Sequence, residues 1–367
     1  MWCFLRHDRY RSTDNRFFVG CAISAVAVSS VAIRYFLYGS DAFQCCHCER
    51  YPQFGGFFLL RCVNNLLARL FPWKFNKDAA AVGNVYESEA VVRQYMEFHF
   101  TPSSKSFEPA LRSITEAFDF PLRVARKFHE FKPLTSSKEK RALEIGCATG
   151  ASSFEMSKYF DSVVGVDYSS AFIKMARKIA KSSCDPNAPP IKYKAPVQGD
   201  ITIERTLALP SGVFPERCRF FRGDAMDLLH VEGKNAPAAN EDSASNDDCS
   251  GELYRVSAGE QFDAVLVVNL LCRVPNPKKL VDILPQLLLP GGVLVISSPY
   301  SWEGPPEARD TWIGGKSAGA MSEDLVKEML SIHFELLDES NEAFLIRDHV
   351  RRYQLGVSHC TVWRCRS

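Results

Sequence analysis

What this chain lacks most plainly is an excess of charge of either sign. Over 367 residues Lys and Arg total 44 and Asp and Glu total 43, a formal net charge of +1. No basic block gathers anywhere, which argues against a nucleic-acid partner. Low-complexity bias and internal repeats are missing too, since 21 Gly and 20 Pro are ordinary for a globular protein. The 13 cysteines are odd in number and irregularly spaced, unlike a secreted disulfide framework. Cys147, Cys218, Cys272 and Cys360 fall in expected strands and helices, where a lone thiol acts as a small apolar filler. The Cys45-Cys46-His47-Cys48 cluster is too crowded for C-x2-C spacing, with only Cys62 nearby, so no metal site is assigned. Reduced thiols and a lipid-modified cysteine are the alternative readings there.

Long hydrophobic runs are scarce, and the one candidate is N-terminal. Arg6, Arg9, Arg11 and Arg16 precede an uncharged run from Phe17 to Val31, which continues to Tyr38. If Arg34 snorkels, about 20 residues are apolar enough to span a bilayer, with Tyr35, Phe36 and Tyr38 at headgroup level. Residues 1–40 are therefore expected to form a single-pass membrane anchor, with the folded domain on the cytosolic side that suits free thiols. The alternative is a signal or organelle-targeting segment cleaved beyond Gly39. Residues 41–83 hold the stretch Phe54 to Phe75, broken by Arg61, Asn64, Asn65 and Arg69. It reads as an amphipathic helix lying on a membrane or packed on the domain, followed by a small-residue linker.

Residues 84–367 carry the folded domain. Val91, Val92, Tyr95, Met96 and His99 recur at helical spacing up to Pro102, and a further helix is expected over 121–131. Strands and helices then alternate: strand 141–146, helix 151–160, strand 162–167, helix 169–181, strand 218–221, short helix 225–229, strand 262–268, helix 277–288, strand 292–298. A helix near 322–331 and strands near 333–338 and 357–365 close the chain. Runs such as Ala264-Val265-Leu266-Val267-Val268 mark strands buried on both faces. The expected fold class is α/β, doubly wound around a mostly parallel sheet, with lid helices placed before the first strand. Two insertions interrupt it, 181–213 and 233–259, the second polar and acidic enough to be expected as a disordered loop.

The organising motif is Glu144-Ile145-Gly146-Cys147-Ala148-Thr149-Gly150, a strand entering a tight turn before a helix. Ala148 stands where a dinucleotide loop has its second glycine, and no Gly-Lys-Ser/Thr of a P-loop follows. Glu144 at the strand's mouth repels phosphate and attracts a cation. The turn is thus shaped for a nucleoside without phosphates. Asp167, ending the second strand beside Tyr168, is placed to accept from ribose hydroxyls. Asp224 and Ala225 follow the third strand, where Asp224 is placed to accept from an adenine amine, and Asn269 ends the fourth.

Together these features resemble the class I S-adenosylmethionine-dependent methyltransferases, with the further match of Leu289-Pro290-Gly291-Gly292 before the fifth strand. The resemblance implies S-adenosylmethionine as cofactor, a Rossmann-like seven-stranded sheet with its last strand inserted antiparallel, and Glu144, Gly146, Cys147, Ala148, Gly150, Asp167, Tyr168, Asp224, Ala225 and Asn269 as cofactor-binding residues. A narrower resemblance covers roughly 85–364. Tyr86-Glu87-Ser88, Gln94 to His99, Gly146-Cys147-Ala148, Val268 to Arg273, Ser298 to Trp302, Phe344 to His349 and Ser358 to Trp363 resemble the C-terminal methyltransferase domain of the ovothiol-biosynthesis enzyme. That domain methylates an imidazole nitrogen of 4-mercaptohistidine. This chain departs from the full enzyme in having no room for its iron-dependent sulfoxide synthase, so the resemblance implies only the methylation step on a thiol-histidine supplied by another protein. Tyr86, Tyr95, His99, Asn269, Tyr300 and His359 are candidates to orient the acceptor, and Arg273 or Arg347 to pair with its carboxylate. A methyltransferase for a lipid or quinone and a non-catalytic cofactor-binding module are the alternatives. The sequence leaves the oligomeric state open.

Overall fold

Strands whose side chains are apolar on both faces need cover on both, and the sheet provides for that. A computed structural model describes residues 85–101, 114, 117–229, 253–302, 306–316 and 319–366. In chain order the elements are α1 (Glu89–Phe100), α2 (Phe120–Glu130), β1 (Arg141–Ile145), α3 (Ala151–Met156), β2 (Ser162–Asp167), α4 (Ser170–Cys184), β3 (Lys192–Gln198), β4 (Ile201–Thr206), β5 (Cys218–Arg222), β6 (Phe262–Val268), α5 (Pro277–Leu287), β7 (Leu288–Ser298), α6 (Ser322–Ser331), β8 (Phe334–His349) and β9 (Arg352–Cys365). Seven strands form one sheet in the order β5-β2-β1-β6-β7-β9-β8. Pairing is parallel from β5 through β7, and β9 enters antiparallel between β7 and β8.

Alternation within each strand sorts the core into two layers. Ala142, Ala264, Leu266, Val293, Val295 and Val362 face α1–α4, whereas Leu143, Ile145, Val265, Val267, Leu294, Ile296 and Trp363 face α5 and α6. Most of the cover over the ligand edge comes from the first layer. There α1 crosses the sheet's carboxyl ends, its start capped by the Ser88 hydroxyl accepting from the Val91 amide.

Several expectations change in detail. The helix expected over 225–229 is a turn, because the Asp224 carboxylate accepts from the Met226 amide and its carbonyl from the Asp227 amide. Leu229 instead bridges to Val256. The closing strands are much longer than their apolar ends, running out as a half-exposed hairpin over 334–365. The first insertion folds into the separate hairpin β3–β4. Of the loop expected over 233–259, residues 253–259 are described, with Tyr254 stacked on Phe221 at 4.8 Å; the rest lies outside the described residues.

The expected membrane anchor needs correction. Among the described residues no helix is long and apolar enough to cross a membrane, so the membrane location has no basis in the structure. Residues 1–40, 41–83 and the Cys45–Cys48 cluster lie outside the described residues.

A buried ionic cluster fastens α1 in place. The Glu97 carboxylate receives Arg347 Nη1, the Tyr193 hydroxyl at 2.8 Å and the Thr101 hydroxyl at 3.2 Å, and Arg205 Nε stands 2.9 Å away. One side chain thereby ties the lid helix to the β3–β4 hairpin and to β8. Arg347 is spent in this cluster and is not turned to a ligand. Removing the carboxylate leaves a buried guanidinium uncompensated, so Glu97→Ala is expected to lower stability by about 3–5 kcal/mol. A urea midpoint equal to that of wild type is the contrary result.

Candidate active site

The glycine turn is folded back onto the end of β2. The amides of Gly146 and Cys147 both donate to the Val166 carbonyl, at 2.7 and 3.1 Å, and the Ala148 amide donates to Asp167 Oδ2 at 2.9 Å. Ala148 adopts a left-handed backbone, φ 46°, between Gly146 at 83° and Gly150 at 91°. An alanine in that region costs about 1–2 kcal/mol, and the bond to Asp167 offsets it. Gly150 has no such freedom to vary, since a Cβ there would lie 2.7 Å from the Phe220 ring.

Asp167 Oδ1 accepts from the Ser169 amide at 2.8 Å. Burial nevertheless lifts its carboxyl to about 6, against the pull of the Ser169 and Ala148 amides. Glu144 lies fully buried behind the turn, where the Ser152 and Ser153 hydroxyls donate to its two oxygens. Burial again outweighs them and pushes it to about 7.

A cavity of about 490 Å³ opens over this turn. Glu144, Gly146, Cys147, Ala148, Asp167, Tyr168, Asp224, Ala225 and Asn269 all line it, while Gly150 stays behind the turn. Tyr86, Tyr95, Phe98 and His99 line it from the lid, and Arg273 from the loop after β6. Phe120, Phe172, Phe344 and Ile346 complete the wall. Sequence reasoning missed these four because they read as ordinary core or as half-exposed strand.

The lid wall is largely aromatic. Tyr95 packs 4.7 Å from Phe172 and 5.6 Å from His99, and Tyr86 meets Tyr95 edge-on at 6.2 Å. Burial, first among several causes, pushes the Tyr95 phenol up, so it stays protonated. His99 Nδ1 lies 2.9 Å from Thr149 Oγ1, joining the lid to the glycine turn. Burial lowers its imidazole from 6.5 to about 3, so it is neutral at physiological pH. The Tyr86 stretch is strapped down outside the cavity, where the Glu87 carboxylate accepts from the Ser170 and Ala171 amides at 2.8 and 3.1 Å.

Two expected residues lie elsewhere. Tyr300 and His359 do not line the cavity; the Tyr300 hydroxyl pairs with His359 Nδ1 at 2.9 Å, and His359 Nε2 with Glu339 at 2.9 Å. Their position after β7 and in β9 suggested the ligand edge, but the side chains turn toward β8.

The residues present fit S-adenosylmethionine. Asp167 offers an acceptor for ribose, the turn brings no lysine for a phosphate, and the buried acid Glu144 favours a cation over an anion. Arg273 is the one Lys or Arg among the described residues lining the cavity.

A family model described as a methyltransferase domain matches residues 116–340. Ubiquinone biosynthesis O-methyltransferase of Pasteurella multocida (strain Pm70) is 28% identical over 178 residues, covering 48% of this chain and 52% of that protein. The chain thus spans about half the length of that relative. Similar solved structures include N-methyltransferase NodS from Bradyrhizobium japonicum WM9 in complex with S-adenosyl-L-homocysteine, with a TM-score of 0.37, 15% identity and coverage of 75% of this chain and 99% of that one. A S-adenosylmethionine-dependent methyltransferase from Methanosarcina mazei has a TM-score of 0.38, 16% identity and coverage of 65% and 97%.

Asp167→Ala is expected to weaken S-adenosylhomocysteine binding about tenfold or more while the fold is kept. In wild type the affinity should fall as pH drops through about 6, where the acceptor carboxylate takes up a proton. Calorimetry on both proteins checks this, and equal affinity would remove the ribose role. With the turn, Asp167 and the sheet's ligand edge all inside the matched span, the chain belongs to the methyltransferase domain family as a class I S-adenosylmethionine-dependent methyltransferase.

Proposed function

We propose that this methyltransferase acts on an imidazole nitrogen of 4-mercaptohistidine (5-thiohistidine), the methylation step of ovothiol biosynthesis. One observation carries the reading. Stretches that resemble the ovothiol domain, far apart in sequence, contribute Tyr86, Tyr95, Phe98, His99, Asn269, Arg273, Phe344 and Ile346 to a single cavity wall. A wall of aromatic rings, edge-on and tilted to one another, suits a flat heteroaromatic acceptor, and Arg273 suits its carboxylate.

S-adenosylmethionine, when bound, supplies an electrophilic methyl group on a sulfonium. The chain's own residues do the rest. Asp167 and the glycine turn hold the nucleoside end, while Tyr86, Tyr95 and Phe98 exclude water and align the acceptor ring. A neutral imidazole nitrogen is itself a nucleophile, with an ordinary pKa of about 6.5, so no strong base is needed. His99, kept neutral by burial, serves as a weak hydrogen-bond partner that fixes the acceptor's tautomer.

The Pasteurella multocida relative suggests a second reading, O-methylation of a phenolic quinone precursor. A phenol must lose its proton to react; a histidine held at about 3 is a poor base for that, and Glu144, though pushed to about 7, has both oxygens engaged by Ser152 and Ser153 behind the turn. The nitrogen acceptor is therefore preferred.

Incubation of the protein with labelled S-adenosylmethionine and candidate acceptors, followed by mass analysis, tests the choice. The expected product is 4-mercaptohistidine bearing one methyl group on its ring; turnover of a phenolic acceptor in its place overturns the reading. His99→Gln should lower kcat/KM about tenfold, well short of the 10²–10⁴ lost with a general base, and leave the pH profile unchanged. A profile that loses its acidic limb in this variant would show that His99 titrates during the reaction.

A further inference from the structure

We propose that Ser297 and Ser358 are positioning residues that set the Asn269 side chain as a hydrogen-bond donor into the cavity, where it and Arg273 hold the acceptor's carboxylate. Asn269 follows β6 with a left-handed backbone, φ 52°, and its amide donates to the Ser297 carbonyl at 2.9 Å. Its side chain reaches β7 and β9. There Oδ1 accepts from Ser297 Oγ at 3.2 Å and from Ser358 Oγ at 2.8 Å. Both serines are fully buried, so their hydroxyl hydrogens must find partners inside the protein, and one amide oxygen takes both.

With the oxygen occupied, the amide nitrogen of this cavity-lining residue has no hydrogen-bond partner among the described residues. An amide held this way can only donate, so the ligand group before it must be an acceptor. Arg273 belongs to the same short loop, its backbone amide bonded to the Leu270 carbonyl at 2.8 Å. Its guanidinium is steadied by the Ser301 carbonyl at 3.2 Å and hydroxyl at 3.4 Å, and it lines the same cavity. A neutral donor and a cation on one loop select an anionic pair of oxygens, which a carboxylate supplies. The acids Glu144, Asp167 and Asp224 line the cavity too and repel an anion, so its partners lie on the Asn269–Arg273 loop.

The inference rests on the proposed acceptor for its test ligand. Calorimetry on protein loaded with S-adenosylhomocysteine compares 4-mercaptohistidine with its decarboxylated counterpart, 4-mercaptohistamine, and methyl transfer to each is followed in parallel. Wild type should bind the acid about tenfold tighter. Asn269→Asp keeps an oxygen for the two serines but offers the ligand a second oxygen in place of the donor, so it should erase or invert the preference. Ser358→Ala should shrink the preference about threefold and raise KM for the acid far more than it lowers kcat, a split that a purely structural role would not produce. Should Asn269→Asp fail to fold, Ser358→Ala and Ser297→Ala carry the same comparison. Equal binding of both compounds by wild type, or a preference that survives the substitutions, overturns the inference even while methyl transfer proceeds. A preference lost in the variants without any methyl transfer upholds it and overturns the proposed acceptor instead. Binding of neither compound overturns both.

Discussion

The bond on which the site depends is the one from the Ala148 amide to the Asp167 carboxylate. Parallel strands β1 and β2 bring their carboxyl ends side by side, but that alone leaves the following turn free to swing. Three successive amides, from Gly146 to Ala148, are all spent on the last two residues of β2. The left-handed backbone at Ala148 is the condition for the third. Asp167 is thus the brace of the turn and also lines the cavity, with Oδ1 and Oδ2 each keeping lone pairs to spare.

What closes the cavity from above is fixed by a different principle. Glu97 is buried on the far side of α1 from the ligand, together with Arg347. Such clusters add little net stability compared with an apolar core, but this one joins α1 to Arg347, Tyr193 and Arg205 through a single carboxylate. Here that arrangement orients α1, so that Tyr95 and His99 turn to the cavity while Glu97 faces the hairpin. The bond between His99 and Thr149 then links the oriented helix to the glycine turn, and the lid and the floor are held to one geometry.

Most of the sheet was legible because both-face burial writes itself as continuous apolar runs, as in β6 and the second half of β7. The lining expected for a cofactor was legible for a related reason: its residues stand at strand ends, whose place follows once the strands are known, and they do line one cavity. The acceptor side was not. Arg347 is 250 residues from Glu97, and no local pattern shows that the pair will meet. Tyr300 and His359 were placed by their strand ends alone, but the antiparallel β9 turns His359 toward Glu339 on β8. Phe344 escaped notice because a half-exposed hairpin carries alternation too weak to distinguish a ligand-facing side chain from a solvent-facing one. The Asp224 turn shows the reverse error: a short polar segment with helical composition gave way to a side chain that captured a backbone amide two residues on.

The electrostatics of the cavity point in one direction. Asp167 rises to about 6, Glu144 to about 7 and His99 falls to about 3, with burial the first cause in every case. Three groups of both charge types moving toward neutrality identify a low-dielectric interior rather than any specific pairing. Methyl transfer from a sulfonium to the neutral nitrogen proposed above would spread charge in the transition state, and a poorly solvating interior favours that change. Fully ionised acids close by would work against it by holding the positive charge in place. Burial pushes the Glu144 carboxyl up to about 7, which softens the negative charge it sets behind the turn. The hydroxyls of Ser152 and Ser153 hold that buried carboxyl in place, so the cavity floor carries an acid whose charge is moderated by its surroundings.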